Sequence, residues 1–173
     1  DAVSSFKCKV RARVAHGQRL TIISGGQSGV DRAALDATIE AGLSSGGWCP
    51  KGGWAEDMTE PPGVRGRYPN LRDTPETSPD QRTVWNVRDA EALMVLTDGV
   101  SLAASKGTAL ALRCAEDGGK PHIGFDMAEP DALTRARVRL KERGGGPPCL
   151  AGPRDGDVPV LSAEARAFLA ALG

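Results

Sequence analysis

The stretch that most constrains this chain runs Leu20-Thr21-Ile22-Ile23, then Ser24-Gly25-Gly26-Gln27-Ser28-Gly29, then Val30-Asp31-Arg32-Ala33-Ala34-Leu35-Asp36-Ala37. A short apolar, β-branched run stops at paired glycines, and apolar residues then resume at helical spacing. That is the pattern of a strand, a tight loop and a helix. The first N–H groups of such a helix have no intrahelical partner and lie at the positive end of its dipole, so the junction suits a phosphate. Gly25, Gly26 and Gly29 keep Cβ atoms away from the backbone, and Gln27, Ser28 and Asp31 complete the candidate loop. The glycine spacing differs from the dinucleotide fingerprint, and no Lys-Ser/Thr pair closes the loop as a P-loop would.

Downstream the alternation continues. A helix over 31–41 ends at Gly42, and Ser44 to Trp48 predicts a short strand. The Gly- and Pro-rich connection from Cys49 to Pro79 is long for a compact domain and is expected to lie over a site. A helix over 80–90, capped by Ser78 or Asp80, precedes a buried strand at 92–96. Ser105-Lys106-Gly107-Thr108 forms a second glycine loop, opening a helix at 109–116. Then come a strand at 121–125, a helix at 131–143, a short strand at 149–151 and a helix at 162–172. Strands alternating with helices predict an α/β domain over 20–173, with a mostly parallel sheet covered on both faces. Residues 1–19 stand apart: Lys7, Lys9, Arg11, Arg13 and Arg19 face one acid, and Cys8, Val10, Ala12 and Val14 alternate with the cations. This segment reads as an edge strand, an arm or the remains of a transit peptide.

Ligands of open parallel sheets sit beyond the carboxyl ends of the strands, so the residues just after each strand matter most. Lys51 comes after the second, Lys106, Gly107 and Thr108 open the helix after the third, and Arg154 comes after the last. Arg82 and Asn86, four apart on one helical face, complete the set. Two helix N-termini with these cations predict a pocket for an anionic, phosphorylated small molecule.

Charge balance narrows the partners. Twenty-two basic residues against twenty-two acidic ones create no field for nucleic acid or anionic membrane, so anion binding is local. No apolar run approaches the roughly 18 residues of a membrane span. Cys8, Cys49, Cys114 and Cys149 show no C-x-x-C, and His16 and His122 are isolated, so neither a disulfide framework nor a metal site is expected. Such cysteine usage points to a reducing, cytoplasmic setting. Asp31, Glu56 and Asp57 are the candidate carboxylates for a metal or a hydrolysis, with a helix cap and two solvated loop acids the favoured reading. Trp54 and Trp85 are candidates for an oligomer surface, although Trp85, between Val84 and Val87, is expected against the sheet.

Several motifs in order carry a resemblance. The Ser24-to-Asp36 run, Gly47-Trp48-Cys49-Pro50-Lys51-Gly52, Arg82-Thr83-Val84-Trp85-Asn86-Val87-Arg88-Asp89-Ala90, Lys106-Gly107-Thr108-Ala109-Leu110 and Ala151-Gly152-Pro153-Arg154 resemble the putative molybdenum carrier family over about residues 20–172. That family is a circularly permuted branch of the Rossmann-like, lysine-decarboxylase-like nucleotide-binding superfamily. The resemblance implies a Rossmann-like three-layer α/β/α fold, frequent homo-oligomers and binding, carriage or sensing of a nucleotide-like or pterin-type ligand. The cofactor it suggests is molybdenum cofactor or a nucleotide. It leaves Cys49 as a candidate metal ligand, against its plainer reading as a packing residue. The alternative is a nucleotide phosphoribohydrolase or related N-glycosidase, whose relatives carry Pro-Gly-Gly-x-Gly-Thr-x-x-Glu. Here Ala111 stands at the Glu position, and a methyl group does no acid–base work. Lys106 stands where the family usually has Gly. Binding is therefore preferred over catalysis.

Overall fold

A computed structural model describes residues 21–99, 105–142, 146–158 and 161–172. The expectation for residues 1–19 lies outside them. Six strands form one sheet: β1 (Thr21–Ile23), β2 (Ser44–Cys49), β3 (Leu71–Asp73), β4 (Ala92–Thr97), β5 (His122–Asp126) and β6 (Pro148–Ala151). Every pairing is parallel, in the order β3-β2-β1-β6-β4-β5. Among the described residues six helices accompany them: α1 (Val30–Glu40), α2 (Val64–Arg67), α3 (Pro79–Asp89), α4 (Lys106–Asp117), α5 (Ala132–Glu142) and, after the last strand, α6 (Leu161–Leu172). The fold is α/β and Rossmann-like.

The period-two alternation of side chains along a strand divides the core. Ile22, Met94 and Leu96 meet α1, α5 and α6 on one face, where Ala33, Ala34, Ala132, Ala136 and Ala165 keep the helices close to the sheet. Their chain neighbours Ile23, Leu93 and Val95 point the other way, onto Val87 and Ala90 of the α3 segment and Ala111 and Ala115 of α4. Among the described residues no helix is long and apolar enough to cross a membrane.

The connection from Cys49 to Pro79 holds more structure than its composition predicts. It contains a 3-10 turn (Lys51–Gly53), α2 and the edge strand β3. Val64, Tyr68 and Leu71 pack there with Leu35, Cys49 and Ala55 in a third cluster. α4 begins three residues earlier than the apolar spacing predicts. Ser105 caps it, its Oγ accepting from the Thr108 N–H at 3.3 Å, so Lys106 and Gly107 form a first turn that carries no apolar signal. Trp85 is half-buried rather than in the core. It packs edge-on against Trp48 at 4.7 Å, with the Arg88 guanidinium over its ring.

Asn86 shows how the sheet continues where β1 ends. β1 pairs with β2 as far as Ile23 and Gly46, and the Ser24 N–H adds one more bond to the Gly46 carbonyl. Beyond that point the buried Asn86 side chain substitutes for a strand. Its Oδ1 accepts from the Trp48 N–H at 2.7 Å and its Nδ2 donates to the Trp48 carbonyl at 3.0 Å. Gly47, at φ +140°, allows this because a Cβ there would overlap the Ser24 carbonyl and stand 2.9 Å from Asn86 Oδ1. Both ends of the Asn86 amide, expected at a ligand, are bound to the backbone. Asn86→Ala leaves two half-buried backbone groups of Trp48 without their partner and is expected to cost about 1–3 kcal/mol in urea denaturation; a loss below about 0.5 kcal/mol would mean that β2 needs no such clamp.

Candidate functional site

The loop Ser24 to Gly29 leads from β1 into α1 at the carboxyl edge of the sheet, as its sequence predicts. Its glycines, however, admit protein. A Cβ on Gly25 would overlap the Arg82 guanidinium and stand 3.0 Å from Asp31 Oδ2. One on Gly26, at φ +72°, would stand 2.9 Å from Leu71 Cδ1. One on Gly29, at φ +84°, would overlap the Pro153 carbonyl, which accepts the Val30 N–H at 3.2 Å. Gly26→Val would therefore disturb the core at Leu71 and Val64.

Asp31 and Arg82 form a buried ion pair across this loop, Nη1 to Oδ2 at 3.0 Å, with side chains only 6% and 12% exposed. Burial pushes the Asp31 carboxyl up from its ordinary value, against the Arg82 charge and the backbone at Gln27 and Gly25, which pull it down. Arg82 Nε is buried with no hydrogen-bond partner. Removing one member leaves the other charged and uncompensated, so Asp31→Asn is expected to cost about 3–5 kcal/mol in chemical denaturation. The double variant Asp31→Asn, Arg82→Met recovers part of that loss. Additive single effects would show the two residues to be uncoupled.

Three loops are knotted together beside the pair. The Ser28 hydroxyl donates a short hydrogen bond to Glu56 Oε1 and accepts the Asp155 N–H at 3.1 Å. Glu56 Oε1 also accepts the Gly156 N–H at 2.8 Å, and its Oε2 lies 3.4 Å from Arg154 Nε. Gln27 Oε1 accepts the Ser28 and Glu56 N–H groups at 3.1 and 3.0 Å. Arg32 grips Asp57 with both terminal nitrogens and reaches the Gly26 carbonyl at 3.2 Å. That ion pair holds the Asp57 carboxyl below its usual range. Glu56, read from sequence as a solvated loop acid, is the hub of this knot. Its sequence context carries no signal of that role, because its partners lie 28 and 100 residues away.

The remaining candidates are spread along the same edge. Arg154 is half-exposed, its Nε 3.4 Å from both Glu56 and Asp157. Thr108 is buried, its hydroxyl 2.7 Å from that of Ser105, and Lys106 is exposed on the first turn of α4. A Cβ on Gly107 would meet open space, unlike those of the first loop. Lys51 lies beyond β2 on the wall of a cavity of about 270 Å³, which Trp54, Thr59, Pro61, Thr77 and Pro79 also line. Among the described residues no three His, Cys, Asp or Glu side chains gather to hold a metal ion.

Cys49 is fully buried, its thiol facing the Arg72 carbonyl at 3.4 Å and Asp73 Oδ1 at 3.5 Å. Burial and that carboxylate push it up to about 12, and burial alone is the main cause of the same value at Cys149. Both are packing thiols. At pH 8 about one in ten thousand of either is ionised, so iodoacetamide is expected to label them only after unfolding, as read by site-resolved mass spectrometry. Rapid labelling of native Cys49 would return it to the list of reactive groups.

Ala111 is also buried, in the cluster formed with Ile23, Val87 and Val95. With the sheet order and the loop geometry in hand, comparison with known proteins decides the family: the model of the circularly permuted YpsA SLOG family matches residues 22–172. The chain belongs to this family. A solved structure of a putative molybdenum carrier protein from Syntrophus aciditrophicus is 30% identical, with a TM-score of 0.75 over 89% of this chain and 94% of that one. No curated protein matches. The resemblance read from the motifs and the parallel sheet read from the alternation thus agree with the family and the fold.

Proposed function

We propose that this protein binds, and carries or senses, a phosphorylated nucleotide-like or pterin-type small molecule along the carboxyl edge of its sheet. The observation that supports this most is the sheet order. From β1 the chain moves outward to β2 and β3, while β6, β4 and β5 lie on the other side, and doubly wound sheets take ligands where the order reverses. The loop Ser24 to Gly29 and Arg154 come directly after the two strands that flank that point. The open face of Gly107, the exposed Lys106 and the half-exposed Arg154 supply backbone access and cationic donors to a phosphate.

Molybdenum cofactor, a phosphorylated pterin, falls within this ligand class. Its phosphate suits the donors at Arg154 and α4, and bound cofactor would supply redox-active molybdenum to a partner that accepts it. Cys49, with its thiol turned to Arg72 and Asp73, is not available to ligate the metal. This chain's own contribution is to hold and orient the organic part. Arg154 does so by exchanging the Glu56 carboxylate for the ligand's anion.

Mass spectrometry of the small molecule that co-purifies, followed by titration calorimetry with guanosine 5′-monophosphate, ADP-ribose and molybdopterin, tests the reading. Binding tighter than about 100 μM, near −5.5 kcal/mol, is expected for at least one; none in that range refutes it. Arg154→Ala is expected to cost about 1.5–3 kcal/mol of that affinity and Arg154→Lys part of it, since lysine keeps the charge but loses the planar fork. Equal affinities for wild type, Lys and Ala variants would remove Arg154 from the site.

A further inference from the structure

The cavity beside Lys51 has a different character from the loop knot. Trp54, Pro61, Thr59, Thr77 and Lys51 are among the residues that line it, a set that carries one aromatic ring, two hydroxyls and one ammonium. At about 270 Å³ it falls just below the roughly 300 Å³ of the smallest drug-sized sites, which makes it room for one fused ring system rather than a whole ligand. The turn that carries Lys51 and Gly52 is held by hydrogen bonds. The Lys51 N–H donates to the Glu76 carbonyl at 3.0 Å, the Gly52 N–H to Asp73 Oδ2 at 3.1 Å and the Gly53 N–H to the Pro50 carbonyl at 2.9 Å.

The cavity is joined to the first loop by a single helical turn. Pro79, on the cavity wall, is the first residue of α3, and Arg82 lies three residues further on the same helical face. Arg82 in turn reaches Asp31 against Gly25. Pro79 and Arg82 are thus one turn apart, a rise of about 5 Å along α3, and Trp54 of the cavity lining lies close in sequence to Glu56, whose Oε2 is 3.4 Å from Nε of Arg154, the donor proposed for the phosphate.

Resting on the proposed function, we infer that this cavity receives the planar heterocycle of the phosphorylated ligand, stacked on Trp54, with Lys51 and the two threonines meeting its ring oxygens and nitrogens. Trp54 and Lys51 then discriminate ring-bearing ligands from bare sugar phosphates. Aromatic stacking is sequence-tolerant toward heterocycles, and the polar rim selects those with exocyclic acceptors.

Titration with guanosine 5′-monophosphate and dihydroneopterin phosphate as ring-bearing probes, and ribose 5-phosphate as the ringless one, separates the two statements. At least one ring-bearing probe is expected to bind about tenfold or more tighter than ribose 5-phosphate and to quench tryptophan fluorescence. Trp54→Ala removes that advantage and leaves ribose 5-phosphate binding as it was, while Trp54→Phe restores most of it. Lys51→Met, at an exposed position, lowers ring-probe affinity severalfold and carries the test if Trp54→Ala fails to fold. Equal binding of ring-bearing and ringless probes, or ring-probe affinities unmoved by Trp54→Ala and Lys51→Met, overturns the cavity's role while the anion-binding reading stands. Failure of all three phosphates to bind overturns the cavity's role, and the anion-binding reading falls with it only when ADP-ribose and molybdopterin also fail to bind.

Discussion

The Asp31–Arg82 pair is the interaction on which the rest of the carboxyl edge depends. Asp31 sits in the first turn of α1, on one face of the sheet, and Arg82 on α3, on the other. The pair closes over the end of β1 through the gap that Gly25 leaves open. It links the two outer layers at the place where the strands stop and backbone hydrogen bonding can no longer hold them together. Desolvation offsets most of the attraction within a buried pair, yet breaking it isolates a charge. The pair thereby restricts how α1 and α3 can sit relative to each other.

Around that pair the loops are arranged so that one group satisfies several others. Glu56 meets a hydroxyl from the loop after β1, an amide from the loop after β6 and the Arg154 guanidinium. Ser28 meets Glu56 and the Asp155 amide. A carboxylate thus already lies among donors of the kind an incoming phosphate needs, near the N-terminus of α1. An exogenous anion competes with an internal one there, whereas the start of α4 has its Gly107 face open. This contrast separates the two glycine loops, which look alike as sequence.

The cavity at Lys51 and the cluster at Trp48 and Trp85 both arise from the long connection after β2. By adding β3 to the sheet edge, that connection brings Asp73 to the turn at Lys51, where its Oδ2 accepts the Gly52 N–H. Arg72 of β3 lies over the Trp48 ring, 4.1 Å from its centroid, and Trp48 in turn carries Trp85. A strand of only three residues, Leu71–Asp73, therefore organises two surface features.

The amino-acid sequence by itself determined the class of fold. Five of the six strands and five of the six helices are legible because their signals, short runs between turn residues and apolar residues at helical spacing, depend only on neighbours along the chain. The family was legible too, from motifs that keep their order. β3 was not, since Leu71-Arg72-Asp73 is too short and too polar to show alternation, and pairing with β2 is what makes it a strand. The tertiary structure alone decided what the polar residues do. Asn86 became a substitute strand, Glu56 a three-loop hub and the first-loop glycines openings for Arg82, Leu71 and Pro153. Those roles are set by groups brought from dozens of residues away, and a local pattern cannot encode which distant donor will arrive.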